Sequence, residues 1–294
     1  MGALGTTMPG TPVAHVATGT IPAAVTISSV FVVVFPILWF SGRFSPIQKG
    51  KPMNHEGQIY HSHGRALGDV LASTMLYLRW SQENEQPLKM STWYFKGRKK
   101  EYSYKLHEIL ELFTPEQTAK LIITDEKPTM RHSSDEGIDQ IFQRIKHKWH
   151  PSNVASKIIA YQFDGKHHKA KNFPNQEAEQ DVLNYINQLG YQTIKLGKEK
   201  SLNECAKILS YSFSFVGVPS GMSVLSAAVG IPYIVITHKL GQEWLKRVKY
   251  GPFIVCQDGN EYKQIIKDYH EKGLKYFQQK CINQDNWTEW LKTL

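Results

Sequence analysis

From Gln58 onward, short apolar runs alternate with segments whose apolar residues recur every three or four positions. Clear examples are the apolar runs 213–218 and 231–236 and the amphipathic segment 177–189. Apolar runs of four to six residues predict buried strands, and the amphipathic segments between them predict the crossover helices of a parallel sheet. The sequence therefore predicts an α/β fold.

The alternation falls into two halves that meet where Pro151-Ser152-Asn153 breaks the pattern. We predict two Rossmann-like domains facing a cleft, at 53–150 and 151–294. Strands are predicted at 59–62, 121–124, 157–163, 191–196, 213–218, 231–236 and 253–256. Helices are predicted at 69–80, 104–113, 138–149, 177–189, 201–209, 222–229 and 261–278, with a last one carrying Trp287, Trp290 and Leu291. The first helix should bury Val70, Leu71, Met75 and Leu78.

Residues 1–52 differ from the rest, since the first charged residue after the N-terminus is Arg43. The uncharged segment 21–40 is long enough to cross a bilayer core of roughly 30 Å as a helix. Arg43, Lys49 and Lys51 follow it, so the positive-inside bias would leave the remainder on the cytoplasmic side of the membrane. A single-pass anchor is one interpretation. A disordered tail, or upstream sequence that is not translated before Met53, are the alternatives.

Composition excludes several classes of protein. With 41% hydrophobic and 21% charged residues, the chain can bury a core and is not disordered. Its net charge of +9 is spread along the chain, and the one dense basic patch, 96–100, accompanies no nucleic-acid motif. Three widely spaced cysteines argue against a disulfide framework. Neither the histidines nor the cysteines have the spacing of metal ligands, so we expect no metal and no cofactor.

Two strand-to-helix loops are candidates for chemistry, because ligands of open α/β sheets bind beyond the carboxyl ends of the strands. The first loop runs from Gly64 to Asp69, where Gly64 and Gly68 allow close approach of the backbone. The carboxylate of Asp69 could face the cleft. Alternatively, Asp69 is simply the N-cap of the helix, a position where Asp is favoured.

The second loop follows the strand at 213–218 and contains Ser220, Gly221, Met222 and Ser223. The N–H groups at this helix start, together with the two serine hydroxyls, suit a phosphate. An ordinary capped turn is the alternative. Between the two loops, Lys169 and Lys171 belong to a basic segment after the strand at 157–163, suited to an anionic ligand. A solvated basic loop explains such a segment equally well.

These loops resemble the GT-B glycosyltransferases, particularly family nine, the ADP-heptose:lipopolysaccharide heptosyltransferases. Leu67-Gly68-Asp69 is similar to the family's Leu-Gly-Asp loop, and Lys171-Asn172-Phe173-Pro174 to its Lys-x-Trp-Pro element. The segment 219–232, with Ser220-Gly221 and Gly230-Ile231-Pro232, resembles the family's Ser/Thr-Gly motif. Two positions depart from the pattern: Pro219 replaces an acidic residue that contacts the donor sugar, and Val224 replaces a histidine.

The resemblance implies a metal-independent inverting transferase. Its donor would be a nucleotide-diphosphate sugar, and its acceptor a hydroxyl of a glycan or glycolipid. Asp69 would be the general base, while Lys169, Lys171 and the residues 220–223 would bind the diphosphate. Two other classes stay open at this point: a nucleotide-sugar epimerase or hydrolase, and a non-catalytic nucleotide-sugar-binding protein.

Overall fold

The computed structural model describes residues 58–61, 67–91, 101–131, 144–164, 176–237 and 252–282. All of them belong to one compact unit, Asn54–Leu294. The segment 21–40, Gly64, Lys169, Lys171 and the predicted last helix lie outside the described residues. Within the described ranges, no helix has the length and apolar character needed to cross a membrane.

Nine strands and eight α-helices are seen in the described residues. The first half contains β1 (Ile59–His61), α1 (Leu67–Glu83), β2 (Leu88–Ser91), α2 (Glu101–Leu110), α3 (Pro115–Thr118), β3 (Leu121–Thr124) and β4 (Met130–Arg131). The second half begins with a 3₁₀ turn (Pro151–Ala155) and continues with β5 (Ile158–Gln162), α4 (Gln176–Gln188), β6 (Gln192–Lys195), α5 (Leu202–Tyr211), β7 (Ser214–Gly217), α6 (Gly221–Val229), β8 (Tyr233–Ile236), β9 (Phe253–Cys256), α7 (Gly259–Lys272) and α8 (Leu274–Lys280).

The strands form two parallel sheets, which confirms the predicted α/β class. The first sheet has the order β3-β2-β1-β4 and the second the order β6-β5-β7-β8-β9. In each sheet the chain changes its direction of travel once, between β1 and β4 and between β5 and β7. Such switch points are where open α/β sheets bind ligands, beyond the carboxyl ends of the strands.

One hydrophobic core joins the two sheets. It contains Tyr60 and Met90 from the first sheet, Leu71 from α1, and Phe215 and Tyr233 from the second sheet. The other face of the second sheet buries a separate cluster under α4, α7 and α8. The four α1 positions predicted to be buried, Val70, Leu71, Met75 and Leu78, are all at most 3% exposed. Thus α1 is a core helix rather than a surface helix.

Several helix ends form as their sequences predict. At the start of α5, the Ser201 Oγ accepts the N–H of Glu204 at 3.2 Å, and Glu204 Oε2 accepts the N–H of Ser201 at 2.8 Å. Gly190 follows α4 with φ +82°, the left-handed conformation expected of a C′ glycine. The predicted helix 261–278 is wrong in one respect. Gly273, at φ +71°, divides it into α7 and α8.

The predicted helix 138–149 is also wrong over residues 144–149, which form an irregular segment. Contacts with distant elements replace the hydrogen bonds of a helix here. The N–H of Lys146 donates to the carbonyl of Leu112 at 2.8 Å, and the N–H of Trp149 donates to the carbonyl of Val229 at 3.0 Å. The indole of Trp149 donates to the carbonyl of Ser212 at 3.0 Å. Burial of this large side chain therefore sets the local conformation.

Candidate functional site

The starts of α1 and α6 lie directly against each other. A Cβ atom on Gly221 would be 2.8 Å from both Cβ and Cγ of Leu67, and one on Gly68 would be 3.0 Å from Cγ2 of Val224. Separations this short leave no room for a side chain at Gly221 and little at Gly68. The two glycines therefore allow a close approach of two helices that follow different sheets. This contact brings the two candidate loops to one place.

Asp69 is the third residue of α1, half-buried, immediately after the contact made by Gly68. Because the helix begins at Leu67, the alternative that Asp69 is its N-cap residue is wrong. A carboxylate in the first turn is nevertheless favoured by the helix dipole, which places partial positive charge at that end. Asp69 thus stands beside the junction of α1 and α6.

Ser220 and Ser223 form the N-terminal cap of α6. The Ser220 Oγ accepts the N–H of Met222 at 3.2 Å, and the Ser223 Oγ accepts the N–H of Ser220 at 3.0 Å. The Ser223 hydroxyl also donates to the carbonyl of Ser220 at 2.7 Å. Three of the predicted phosphate-binding groups, namely the Ser220 and Ser223 hydroxyls and the Met222 N–H, are therefore engaged within the protein.

Gln162 is a residue of this site that the sequence did not reveal. It ends β5 at the switch point of the second sheet, opposite Gly217 of β7. Its Oε1 accepts the Ser220 hydroxyl at 2.7 Å, and its carbonyl accepts the N–H of Val218 at 3.1 Å. A Cβ atom on Gly217 would come within 2.5 Å of that carbonyl, so a glycine is needed beside it. Gln162 thereby links the end of β5 to the start of α6.

Some hydrogen-bond donors at the end of β5 and the start of α6 are not used within the protein. Among the described residues, the N–H groups of Gly221 and Ser223 and the Nε2 of Gln162 form no hydrogen bond. All three belong to the carboxyl edge of the second sheet or to the first turn of α6. Neutral donors at the positive end of a helix can bind the oxygens of an anion.

The two positions that depart from the family pattern carry buried apolar side chains. Val224 is 2% exposed and fills the space against Gly68. Pro219 is also buried, directly before the cap of α6. Neither side chain can act as an acid, a base or a hydrogen-bond donor, so any chemistry at this junction must come from their neighbours.

An ion pair lies at the carboxyl ends of β5 and β6, at the same edge of the sheet. Lys195 Nζ lies 3.2 Å from Asp164 Oδ2, with both side chains about two-fifths exposed. The hydrogen bond that Lys195 donates to Asp164 raises the pKa of Lys195, and burial raises the pKa of the neighbouring Tyr161. An exposed pair of this kind contributes little to stability.

Metal-ligating groups are not clustered in the part of the chain that the structure describes. No three His, Cys, Asp or Glu side chains there are grouped as a metal site. Cys205, Cys256 and Cys281 are buried and form no disulfide bond with one another. Gly64, Lys169 and Lys171 lie outside the described residues, so their predicted roles stay predictions.

No protein-family model and no curated protein matches the chain. Among solved structures, it is similar to the dodecameric iron-containing heptosyltransferase TibC in complex with ADP-D-β-D-heptose. The identity is 16% over 61% of this chain and 57% of that chain, with a TM-score of 0.40. TibC from enterotoxigenic E. coli H10407 is similar at 17% identity, over 60% of this chain and 56% of that chain, with the same TM-score of 0.40.

The chain thus spans less than two thirds of the length of each of these structures. At this identity and TM-score, the likeness assigns neither a family nor an activity.

Proposed function

We propose that the chain is a metal-independent inverting glycosyltransferase that moves a sugar from a nucleotide-diphosphate sugar to a hydroxyl of a glycan or glycolipid. The observation that carries the proposal is the contact between Leu67 and Gly221. The contact joins the start of α1, which follows β1 and carries Asp69, to the start of α6, which follows β7 and carries hydrogen-bond donors. The proposed transfer needs a base and an anion-binding site next to each other, and in our proposal the two helix starts at this junction have these roles.

Asp69 is the base in this proposal. Its carboxylate would accept the proton of the acceptor hydroxyl as that oxygen attacks the anomeric carbon, with inversion of configuration. A positioned base of this kind contributes on the order of 10²–10⁴-fold to the rate. Asp69 is half-buried in the first turn of α1, whose start contacts the start of α6.

The departing nucleotide diphosphate gains negative charge, which must be stabilised where it forms. The N–H groups of Gly221 and Ser223 and the amide of Gln162 would donate to its oxygens, assisted by the dipole of α6. Lys171, with Lys169, would add positive charge from the segment after β5. A set of donors like this requires no divalent ion.

The first test is a thermal-shift screen of the full chain against nucleoside diphosphates and their sugars. Because a ligand that binds the folded state raises its stability, the cognate nucleotide should raise the Tm, by more than the matching monophosphate. Lys171→Ala should weaken the response. A Tm that no nucleoside diphosphate or nucleotide sugar alters would contradict the proposal. Unchanged affinity in Lys171→Ala would leave that lysine as a solvated loop residue.

The second test concerns Asp69 and needs a matched control. Asp69→Asn should lower the rate of sugar transfer by about 10²–10⁴-fold while the nucleotide still binds. Glu177→Gln removes a carboxylate from the first turn of α4, so it controls for the loss of a helix-dipole interaction. Near-normal turnover of Asp69→Asn would remove Asp69 from the mechanism.

A non-catalytic nucleotide-sugar-binding protein is the second candidate, favoured by the buried Pro219 and Val224. Binding of a nucleotide sugar without turnover across an acceptor panel would select it. Incubation with the donor alone identifies an epimerase or hydrolase by its products.

The location of the activity can be tested by deletion. In our proposal, residues 21–40 hold the protein on the cytoplasmic side of a membrane, beside lipid-linked acceptors. Removal of residues 1–52 should then leave transfer to a water-soluble acceptor intact and reduce transfer to acceptors in vesicles. Equal loss of both activities would contradict this part of the proposal.

A further inference from the structure

Four strands form the edges of the two sheets, and three of them are protected. The N–H of Ile282 donates to the carbonyl of Phe253 at 3.0 Å, so the chain covers β9. The strand β4 has only two residues, and β6 carries Gln192 at one end and Lys195 at the other. Short, charged or covered edges are the usual devices against unwanted strand pairing.

The fourth edge, β3, is different. Its sequence Leu121-Ile122-Ile123-Thr124 contains neither a charge nor a proline, and β2 is its one partner strand among the described residues. Ile122 is 44% exposed and Ile123 is 39% exposed. Single exposed apolar residues are common, but two adjacent ones on an unprotected β-branched edge strand are a template for pairing with another strand.

We propose that β3 pairs antiparallel with β3 of a second copy of this chain, with Ile122 on the two-fold axis. Two copies related by such an axis use the same edge, and the groups facing outward alternate along a strand. Opposed residues must therefore be separated by an even number of positions, which places a residue on the axis and not a peptide bond. The two registers centred on the exposed residues have Ile122 or Ile123 on that axis.

The side chains favour the register centred on Ile122. Ile122 then faces Ile122 of the partner subunit, and Leu121 faces Ile123 of the partner subunit, so apolar residues meet on both faces of the sheet. In the register centred on Ile123, Leu121 would instead face Asp125 of the partner subunit. The edge is thus self-complementary in one register.

Cross-linking of variants with one introduced cysteine tests this register directly, since the three native cysteines are buried. Ile122→Cys should form a disulfide-linked dimer under mild oxidation, because the two thiols meet on the axis. Ile123→Cys is the matched control: its side chain is similarly exposed but faces Leu121 of the partner subunit, so it should form no disulfide-linked dimer. Equal cross-linking of both variants, or none from Ile122→Cys, would overturn the proposal.

Sedimentation of the unmodified full chain over a wide concentration range provides the second measurement. We expect a reversible monomer–dimer equilibrium. Ile122→Lys, which places like charges on the axis, should raise the dimer Kd by at least about tenfold. Ser152→Lys adds a charge at an exposed position remote in sequence and should leave the Kd unchanged. A chain that is monomeric at all concentrations, because a different segment covers β3, would overturn the proposal independently of any glycosyltransferase activity.

Discussion

The Cα atom of Gly221 lies 3.5 Å from the point that a Cβ atom on Gly68 would occupy. Gly68 follows a strand of the first sheet and Gly221 follows a strand of the second, so this approach fixes the separation of two helix starts. The proposed base, Asp69, belongs to the first of these helix starts, and the proposed anion-binding site belongs to the second. The spacing of the site therefore depends on two residues that have no side chain.

Gly221→Ala should lower both stability and nucleotide affinity. The added methyl group would lie 2.8 Å from Cβ and Cγ of Leu67, so α1 and α6 must separate to admit it. We expect the free energy of unfolding to fall by about 1–3 kcal/mol, as for other overpacked positions. Urea denaturation measures this change.

Asn260→Ala, at an exposed position in the first turn of α7, is the control and should change stability by less than about 0.5 kcal/mol. Wild-type stability of Gly221→Ala would show that the contact does not limit the spacing.

Gln162→Leu should weaken nucleotide binding by disturbing the cap of α6. It removes the acceptor of the Ser220 hydroxyl as well as the amide donor. The loss of one such hydrogen bond corresponds to about a tenfold increase in Kd. Ser220→Ala removes the same hydrogen bond but keeps the amide donor, so its effect should be smaller. The double variant should be little worse than Gln162→Leu alone, because that variant already lacks the hydrogen bond to Ser220. Additive losses in a calorimetric titration would show that the two residues act separately.

Two tyrosines of α7 should respond in opposite directions to the loss of their hydroxyl groups. The hydroxyl of Tyr262 is buried and forms no hydrogen bond with a described residue, whereas the Tyr269 hydroxyl donates to the carbonyl of Phe213 at 3.4 Å. An unsatisfied buried polar group costs about 1–3 kcal/mol. Tyr262→Phe should therefore raise the free energy of unfolding, and Tyr269→Phe should lower it. Destabilisation of both variants by equal amounts would reveal a partner for Tyr262.

Stability should fall at high pH partly through Tyr191. Burial raises the pKa of this phenol to about 12. In the unfolded chain, tyrosine ionises near pH 10. The unfolded state therefore loses its proton first, and the stabilising contribution of Tyr191 is complete below pH 10 and is lost as the pH approaches about 12.

Tyr191→Phe isolates this contribution. Between pH 10 and 12, its unfolding free energy should fall less steeply than that of the wild type, by about 1.4 kcal/mol per pH unit for one proton. The variant also loses the hydrogen bond to His270, which should lower its stability by a constant amount at lower pH. Parallel curves above pH 10 would contradict the assignment.

The elements that the sequence predicts well are those whose signals are local. The strand at 121–124 has the bounds of β3, and the helix predicted at 201–209 is α5, which begins after the N-cap Ser201. By contrast, β2 was missed because Leu88 and Met90 are its only apolar residues, too few for a pattern. The segment 144–149 has helical spacing, yet the burial of Trp149 against Ser212 overrides it.

The residues of the candidate site also differ in whether local sequence signals predict them. Its two loops were predicted because glycine and serine at strand-to-helix junctions have recognisable local functions. Gln162 was not, since a glutamine at a strand end carries no signal of its own. Its role arises from Ser220, a residue 58 positions further along the chain. The close contact of Leu67 with Gly221 likewise exists only once both sheets have formed.

The core shared by the two sheets has a consequence for dividing this protein. A cut near the 3₁₀ turn at Pro151–Ala155 would separate Leu71 from Phe215 and Tyr233, and Trp149 from the carbonyl of Ser212. Each fragment would then present to water the apolar face that the other one covers. We expect the fragments to be insoluble when produced separately and to reassemble when produced together, which would make the turn a natural position for a split-protein sensor.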